Sequence, residues 1–277
     1  KQSLLVLTIL LILISCNNQH QRDLHHEKLV GGFELLTVER TGIDFNNSIE
    51  ESTYFNHYYY SQIYVGSGVA IGDLDNDGRE DIVSVHESDS EYDSSEFDPD
   101  YIPDSEGHVR IAFAGATPSD WVNVTLAEGA DSPAPEDADI ADVNGDGFLD
   151  VIVAAELSHL IYLQNPGPDD ARQGEAWERL ILPMTKGNGS YIRVFFADLD
   201  GDNTPEVIAA NKGAQRPGPG DLARSTPVSI FSVTGDPLVA DAWHETVLGR
   251  YSVPQNAQPV DLDADGDLDI VVGSRGE

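Results

Sequence analysis

Four short stretches of this chain carry oxygen-bearing side chains at alternate positions, all in one register. The first holds Asp73, Asp75 and Asp77, then Gly78, then a further acid at Asp81. The second holds Asp142, Asn144 and Asp146, then Gly147 and Asp150. The third holds Asp198, Asp200 and Asp202, then Asn203 and Glu206; the fourth holds Asp261, Asp263 and Asp265, then Gly266 and Asp269. Counted from the first aspartate, oxygen donors stand at positions 1, 3, 5 and 9, and position 6 is a residue that tolerates positive φ. A hard divalent cation of large radius takes about six to eight oxygens at roughly 2.3–2.6 Å. Side chains at 1, 3 and 5 can face one centre only if the backbone curls tightly, and position 6 permits that curl. Calcium suits the set better than magnesium, which demands octahedral geometry and keeps several waters. A single stretch would read equally well as an Asp-rich turn; four in the same register favour a cation cage.

The flanking residues say what carries these loops. Their first halves resemble an EF-hand loop, but an EF-hand has its bidentate Glu at position 12 and helices on either side. Here a β-branched run follows at once, as in Ile82 and Val83, Val151 to Val153, Val207 and Ile208, and Ile270 to Val272. Apolar runs also lead in at residues 69–71 and 194–196, and more weakly at 138–141, where Asp139 interrupts, and at 259–260. Each loop therefore joins two strands, and the outgoing strands read as buried on both faces. A third strand follows at 109–113, 160–163 and 228–231, and a fourth opens on Trp121, Trp177 or Trp243. All three tryptophans stand five residues before a leucine, which marks them as repeated packing anchors between neighbouring units. Strand, loop, strand, strand and Trp strand recur at intervals of roughly 60 residues, the pattern of a β-propeller blade with enlarged loops. The expected fold is all-β: a β-propeller of four-stranded blades with calcium-binding loops between first and second strands. About three and a half blades fit into residues 29–277, so truncation ahead of further blades is expected.

Gly66, Gly68, Val69, Ala70, Ile71 and Gly72, leading into Asp73, Asp75, Asp77 and Gly78, resemble the FG-GAP repeat of integrin α-subunit propellers and bacterial VCBS-repeat proteins. The resemblance spans about residues 60–277 and is most specific in the acidic loops. The Phe-Gly and Gly-Ala-Pro signatures are replaced, by Val65-Gly66 and by Gly273-Ser274-Arg275. It implies a calcium-stabilised propeller with Ca2+ at up to four sites. The ligands would be the side chains at positions 1, 3, 5 and 9 and a backbone carbonyl at position 7, which is Arg79, Phe148, Thr204 or Asp267. The third loop departs furthest, with Asn203 for glycine, Pro205 after it, and Glu206 longer than aspartate.

The formal net charge of −34 argues against nucleic acid as a partner, which needs a basic face, and against direct attraction to anionic lipid. The single cysteine, Cys16, rules out an internal disulfide. It closes an apolar run over residues 4–14 that follows Lys1, too short for a bilayer span of about 20 residues and of the length of a secretory signal's apolar region. Leu13, Ile14, Ser15 and Cys16 resemble a bacterial lipobox, which implies acylation of Cys16. The expected organisation is a lipoprotein signal peptide over 1–16, a polar tether over 17–28 and the propeller over 29–277. The protein would be exported and lipid-anchored in the bacterial cell envelope, touching the membrane only through that anchor.

The chain has no H-E-x-x-H, G-x-S-x-G, C-x-x-C or P-loop pattern. The expected role is therefore a binding or scaffold module for a glycan or protein ligand. The alternative is a polysaccharide lyase or hydrolase on the same calcium-stabilised frame. For that alternative His86, Lys212, Arg216 and Arg275, each just after a second strand, are the cations that could converge on one face.

Overall fold

The computed structural model describes residues 68–86, 107–156, 159–214 and 217–276. The signal with Cys16, the tether and, also expected from the sequence, a strand at 33–39, a tyrosine-rich patch at 54–60 and an acidic insertion at 87–106 lie outside these residues, as does Arg216.

Val69–Gly72 (β1), Asp81–His86 (β2), His108–Ala114 (β3) and Trp121–Glu128 (β4) form one antiparallel sheet in sequence order. Pro135–Ala141 (β5), Asp150–Ala155 (β6), Leu160–Gln164 (β7) and Glu178–Ile181 (β8) form a second. Val194–Ala197 (β9), Glu206–Ala210 (β10), Ser225–Val233 (β11) and Trp243–Ser252 (β12) form a third, with a four-residue helix, Pro219–Leu222 (α1), between β10 and β11. Pro254–Val260 (β13) and Asp269–Ser274 (β14) pair as a fourth. The chain is all-β, and its four-stranded meanders are β-propeller blades in topology.

Each acidic loop is a hairpin connection closed by the same pair of positions. The residue before position 1 lies opposite the acid at position 9: Gly72 opposite Asp81, Ala141 opposite Asp150, Ala197 opposite Glu206 and Val260 opposite Asp269. Identical closure fixes an identical register, and register decides which face each apolar residue serves.

Three apolar cores then alternate along the second strands. Val151 and Val153 of β6 join Val83, Ile111 and Phe113 in the core between the first and second sheets. Ile152 and Ala154 turn the other way, onto Val194, Val207 and Phe231. Val207 and Ala209 of β10 share that second core, while Ile208 and Ala210 meet Ala257, Ile270 and Val272 in a third. Every residue of β6 and β10 is buried, as expected of strands covered on both faces. The expectation fails for β2, which alternates, and for β14, which is largely exposed. Among the described residues each of these has a packed sheet on one face only.

The tryptophans follow the same logic. Trp177 and Trp243 are buried in the core shared with the preceding sheet, and their indole N–H groups donate to Ala171 O at 2.9 Å and Pro237 O at 2.8 Å. Trp121 donates to a carbonyl nearer in the chain, Pro118 O at 2.9 Å, and stays 37% exposed. The anchor role thus holds for two of the three.

The first strands approach one another closely. Gly68 donates to Glu136 O at 3.0 Å, and a Cβ at Gly68 would stand 2.5 Å from Asp137 Cα. Only glycine allows that backbone approach. Asp137 accepts the N–H of Val194 at 3.2 Å, and Asp139 that of Phe196 at 2.8 Å. The acid that breaks the apolar pattern of β5 therefore caps the unpaired edge of β9, which would otherwise leave backbone donors orphaned.

Candidate functional site

The four loops share one hydrogen-bonded curl. The carboxylate at position 1 accepts the backbone N–H of position 5 at 3.0–3.2 Å and that of position 6 at 2.9–3.2 Å. The carboxylate at position 5 accepts the N–H of position 7, which is Arg79, Phe148, Thr204 or Asp267, at 2.7–3.0 Å. The acid at position 9 reaches back to the N–H of position 2 at 2.9–3.2 Å. These bonds draw alternate side chains to one side of the backbone.

The curl takes two left-handed residues. Position 6 is one, with φ of 86° at Gly78, 90° at Gly147, 69° at Asn203 and 100° at Gly266. Asn203 thus adopts the conformation that glycine adopts in the other copies, so the third loop keeps the geometry despite its departures. Position 4 is the other, with φ of 55° at Asn76, 74° at Gly145, 76° at Gly201 and 62° at Ala264. Sequence reading missed position 4, because Ala264 hides the preference that Asn76, Gly145 and Gly201 show. An alanine held there costs about 1–2 kcal/mol.

The predicted side chains converge to differing extents. Asp73, Asp75 and Asp81 each bring an oxygen within 4.8 Å of the others, as do Asp198, Asp200 and Glu206, and Asp261, Asp263 and Asp265. In the second loop Asn144 holds Asp146 through Nδ2 at 2.8 Å, and the N–H of Asp146 donates back to Asn144 Oδ1 at 3.0 Å. Burial pushes the pKa of Asp150 up to about 6 against the pull of its hydrogen bonds from the Asn165 and Val143 N–H groups. Burial also raises Asp81 and Glu206, and the neighbouring acids Asp75 and Asp77, or Asp200 and Asp202, add to the effect. Asp75 is 8% exposed, and its Oδ1 has no hydrogen-bond partner. A bound cation would relieve each of these stresses, so the residues present fit one.

Two further residues tie the loops to their surroundings, and neither stood out in the sequence. Asn165 is buried in the β7–β8 connection and donates through Nδ2 to Leu74 O at 2.9 Å and Leu149 O at 3.0 Å, riveting the first loop to the second. Arg172, in the same connection, donates through Nε to Asp75 Oδ2 at 2.6 Å and through Nη2 to Asp77 Oδ2 at 3.3 Å. Arg79 also pairs with Asp77.

Residues 142–209 match the FG-GAP-like repeat family. The chain carries an FG-GAP-like repeat. The matched stretch runs from position 1 of the second loop into β10 and so holds the second and third loops. The first and fourth loops lie outside the match, yet they close on the same pair and adopt the same φ pattern. No curated protein matches the chain.

The cations considered for catalysis have separate fates at the other end of the strands. His86 stacks on His108 with ring centroids 5.1 Å apart. Lys212 forms an ion pair with Glu156, the two side chains being 3% and 8% exposed. Arg275 is exposed. Lys212 also lines a cavity of about 360 Å³ with Asn188, Asp221, Arg224, Ser225 and Thr226. The cavity sits where the β10–β11 connection leaves β10, at the opposite end from the third acidic loop.

Proposed function

We propose that the protein is a calcium-stabilised β-propeller module of the bacterial cell envelope that binds a glycan or protein ligand. The observation that carries the reading is the fourfold recurrence of one curl, with acids drawn together in the first, third and fourth loops and three of the position-9 carboxyls strained by burial. Ca2+ would be held by Asp73, Asp75, Asp77 and Asp81 and their counterparts in the other loops, with the position-7 carbonyls. Its contribution is structural: it neutralises the cage and locks the hairpin between first and second strands. Extracellular calcium modules work at dissociation constants of about 10⁻⁴–10⁻³ M, a range suited to an exported protein. A site filled at a hundred times its dissociation constant stabilises the fold by about 2.7 kcal/mol. The cavity lined by Arg224 and Thr226 lies at the other end of the strands, which leaves it free to meet a ligand while the metals hold the frame.

The test is a thermal melt of the full chain in EDTA, then with calcium or magnesium restored. Calcium should raise the melting temperature by roughly 5–10 °C for each site filled, and magnesium by much less. An unmoved melting curve would sink the calcium reading. Ligand class is read by screening the calcium-loaded chain against a glycan array, with Arg224→Ala and Thr226→Val as cavity controls. The anchor is read by metabolic labelling with palmitate, which Cys16→Ser should abolish.

A further inference from the structure

We propose that Arg172 is a built-in competitor for the divalent cation at the first acidic loop. The inference rests on reading the loops as calcium sites, and it sets the first loop apart from the others. Arg172 reaches Asp75 at position 3 and Asp77 at position 5, two of the side chains a cation would need. Arg79 joins it on Asp77 and is anchored by an Nε–H bond to Ala114 O at 3.2 Å. Two guanidinium groups bring the same formal charge as one divalent ion. Among the described residues no ion pair reaches the acids of the second, third or fourth loop. The position equivalent to Arg172, five residues before the tryptophan, is Leu238 in the third sheet.

The seat of Arg172 is prepared. Its guanidinium lies over the Phe113 ring, 5.2 Å from the centroid, where a cation is favoured. Its connection is pinned one turn earlier by Asn165, which holds Leu74 O beside the loop. Yet the plug is incomplete, since Asp75 Oδ1 stays buried without a hydrogen-bond partner. A metal ion would engage that oxygen while competing with Arg172 for the charge of Asp75 and for Asp77 Oδ2, which Arg172 and Arg79 share. Calcium loading of the first loop is thereby coupled to a weakening of the contact between the first and second sheets, a coupling absent from the other loops among the described residues.

Calcium titration calorimetry on the full chain tests this, comparing wild type, Arg172→Gln and Arg172→Lys, each with and without Asp75→Asn. The weakest calcium site of the wild type should tighten by about three- to fivefold in Arg172→Gln, the scale of one well-placed, partly exposed ion pair. Arg172→Lys, which keeps the charge but loses the two-toothed geometry, should fall between. Asp75→Asn should remove the tightened site in either variant. Superimposable isotherms for wild type and Arg172→Gln, or a tightened site that survives Asp75→Asn, would overturn the proposal. If Arg172→Gln does not fold, the comparison of Arg172→Lys with wild type carries the same reading. Absence of calcium binding in every variant would instead remove the calcium reading itself, and this proposal with it.

Discussion

Asp150 is at once a predicted cation ligand and a fully buried acid, so its titration separates the metal-free from the metal-bound state. Burial moves its pKa from 3.8 up to about 6. The metal-free folded state therefore binds the proton more tightly than the unfolded chain, and the ionised carboxylate costs on the order of 3 kcal/mol above pH 6. That cost fades as the pH falls and is gone below the unfolded value of 3.8. Between pH 7 and pH 5 acidification should return on the order of 1 kcal/mol, or roughly 3–5 °C in melting temperature for a chain of this size. Other groups titrate in the same window. Burial, with Lys186 and Arg179 nearby, holds His159 down to about 4, so its share of stability is lost as the pH drops through 6.5. The net charge of −34 adds a diffuse term. The informative quantity is thus the difference between wild type and Asp150→Asn, in which the remaining groups are common to both. Calorimetric melts in EDTA should show the wild type gaining that 3–5 °C on the variant as the pH falls from 7 to 5. In saturating calcium the trend reverses, because a metal ligand has to be ionised, and the wild-type advantage shrinks towards pH 5. Parallel pH curves in EDTA would show that Asp150 does not titrate in this range. Parallel curves in calcium would remove Asp150 from the cation site.

His159→Gln should lose less stability than wild type between pH 7 and pH 4.5, measured by urea denaturation, because the neutral buried imidazole is what acid must charge. Gly68→Ala should destabilise by more than about 2 kcal/mol, since the new methyl meets the Asp137 backbone rather than a movable side chain. Trp243→Ala should cost about 3–5 kcal/mol, as it empties a buried site beside Tyr162, and Trp121→Ala, partly exposed, less than half that; chemical melts rank the pair. Lys212→Met should destabilise the chain by breaking a buried ion pair, and adding Glu156→Leu should restore part of the loss, read by urea denaturation.

The loops and strand order were legible because they rest on local rules. Alternate oxygens, a left-handed residue and a β-branched exit are all written within about a dozen positions, and each recurs. What the sequence concealed depends on partners far along the chain. Asp139 looked like a flaw in β5, yet it serves β9 across a gap of 57 residues. Asn165 stands in a local Asn-Pro-Gly stretch, and its amide reaches Leu74, 91 residues away. Arg172 was an unremarked loop charge until folding set it on Asp75, 97 residues away. Polar side chains that bridge sheets leave no period to read.

The same contrast shows what each class of residue decides. The four curls are built by backbone donors on their own carboxylates, so they would form as turns whatever lies beside them. Local sequence alone thus sets only the third loop apart, through Asn203, Pro205 and Glu206. The electrostatic surroundings of the four loops are unequal, because Asp81 and Asp150 each accept a further N–H from the third strand or its end, at Ala114 and Asn165, whereas no such bond reaches Asp269 among the described residues. The first loop has two guanidinium groups, the second an asparagine amide, and the fourth a fifth aspartate at position 7 with no cation partner among the described residues. A cation entering the fourth loop therefore meets the most uncompensated charge, and one entering the first meets the least. Calcium affinities should follow that order of compensation rather than similarity to the repeat signature. Single-loop knockouts, Asp263→Asn against Asp75→Asn, should show the larger loss of tight binding in the fourth loop. Equal losses would mean that the curl alone sets affinity.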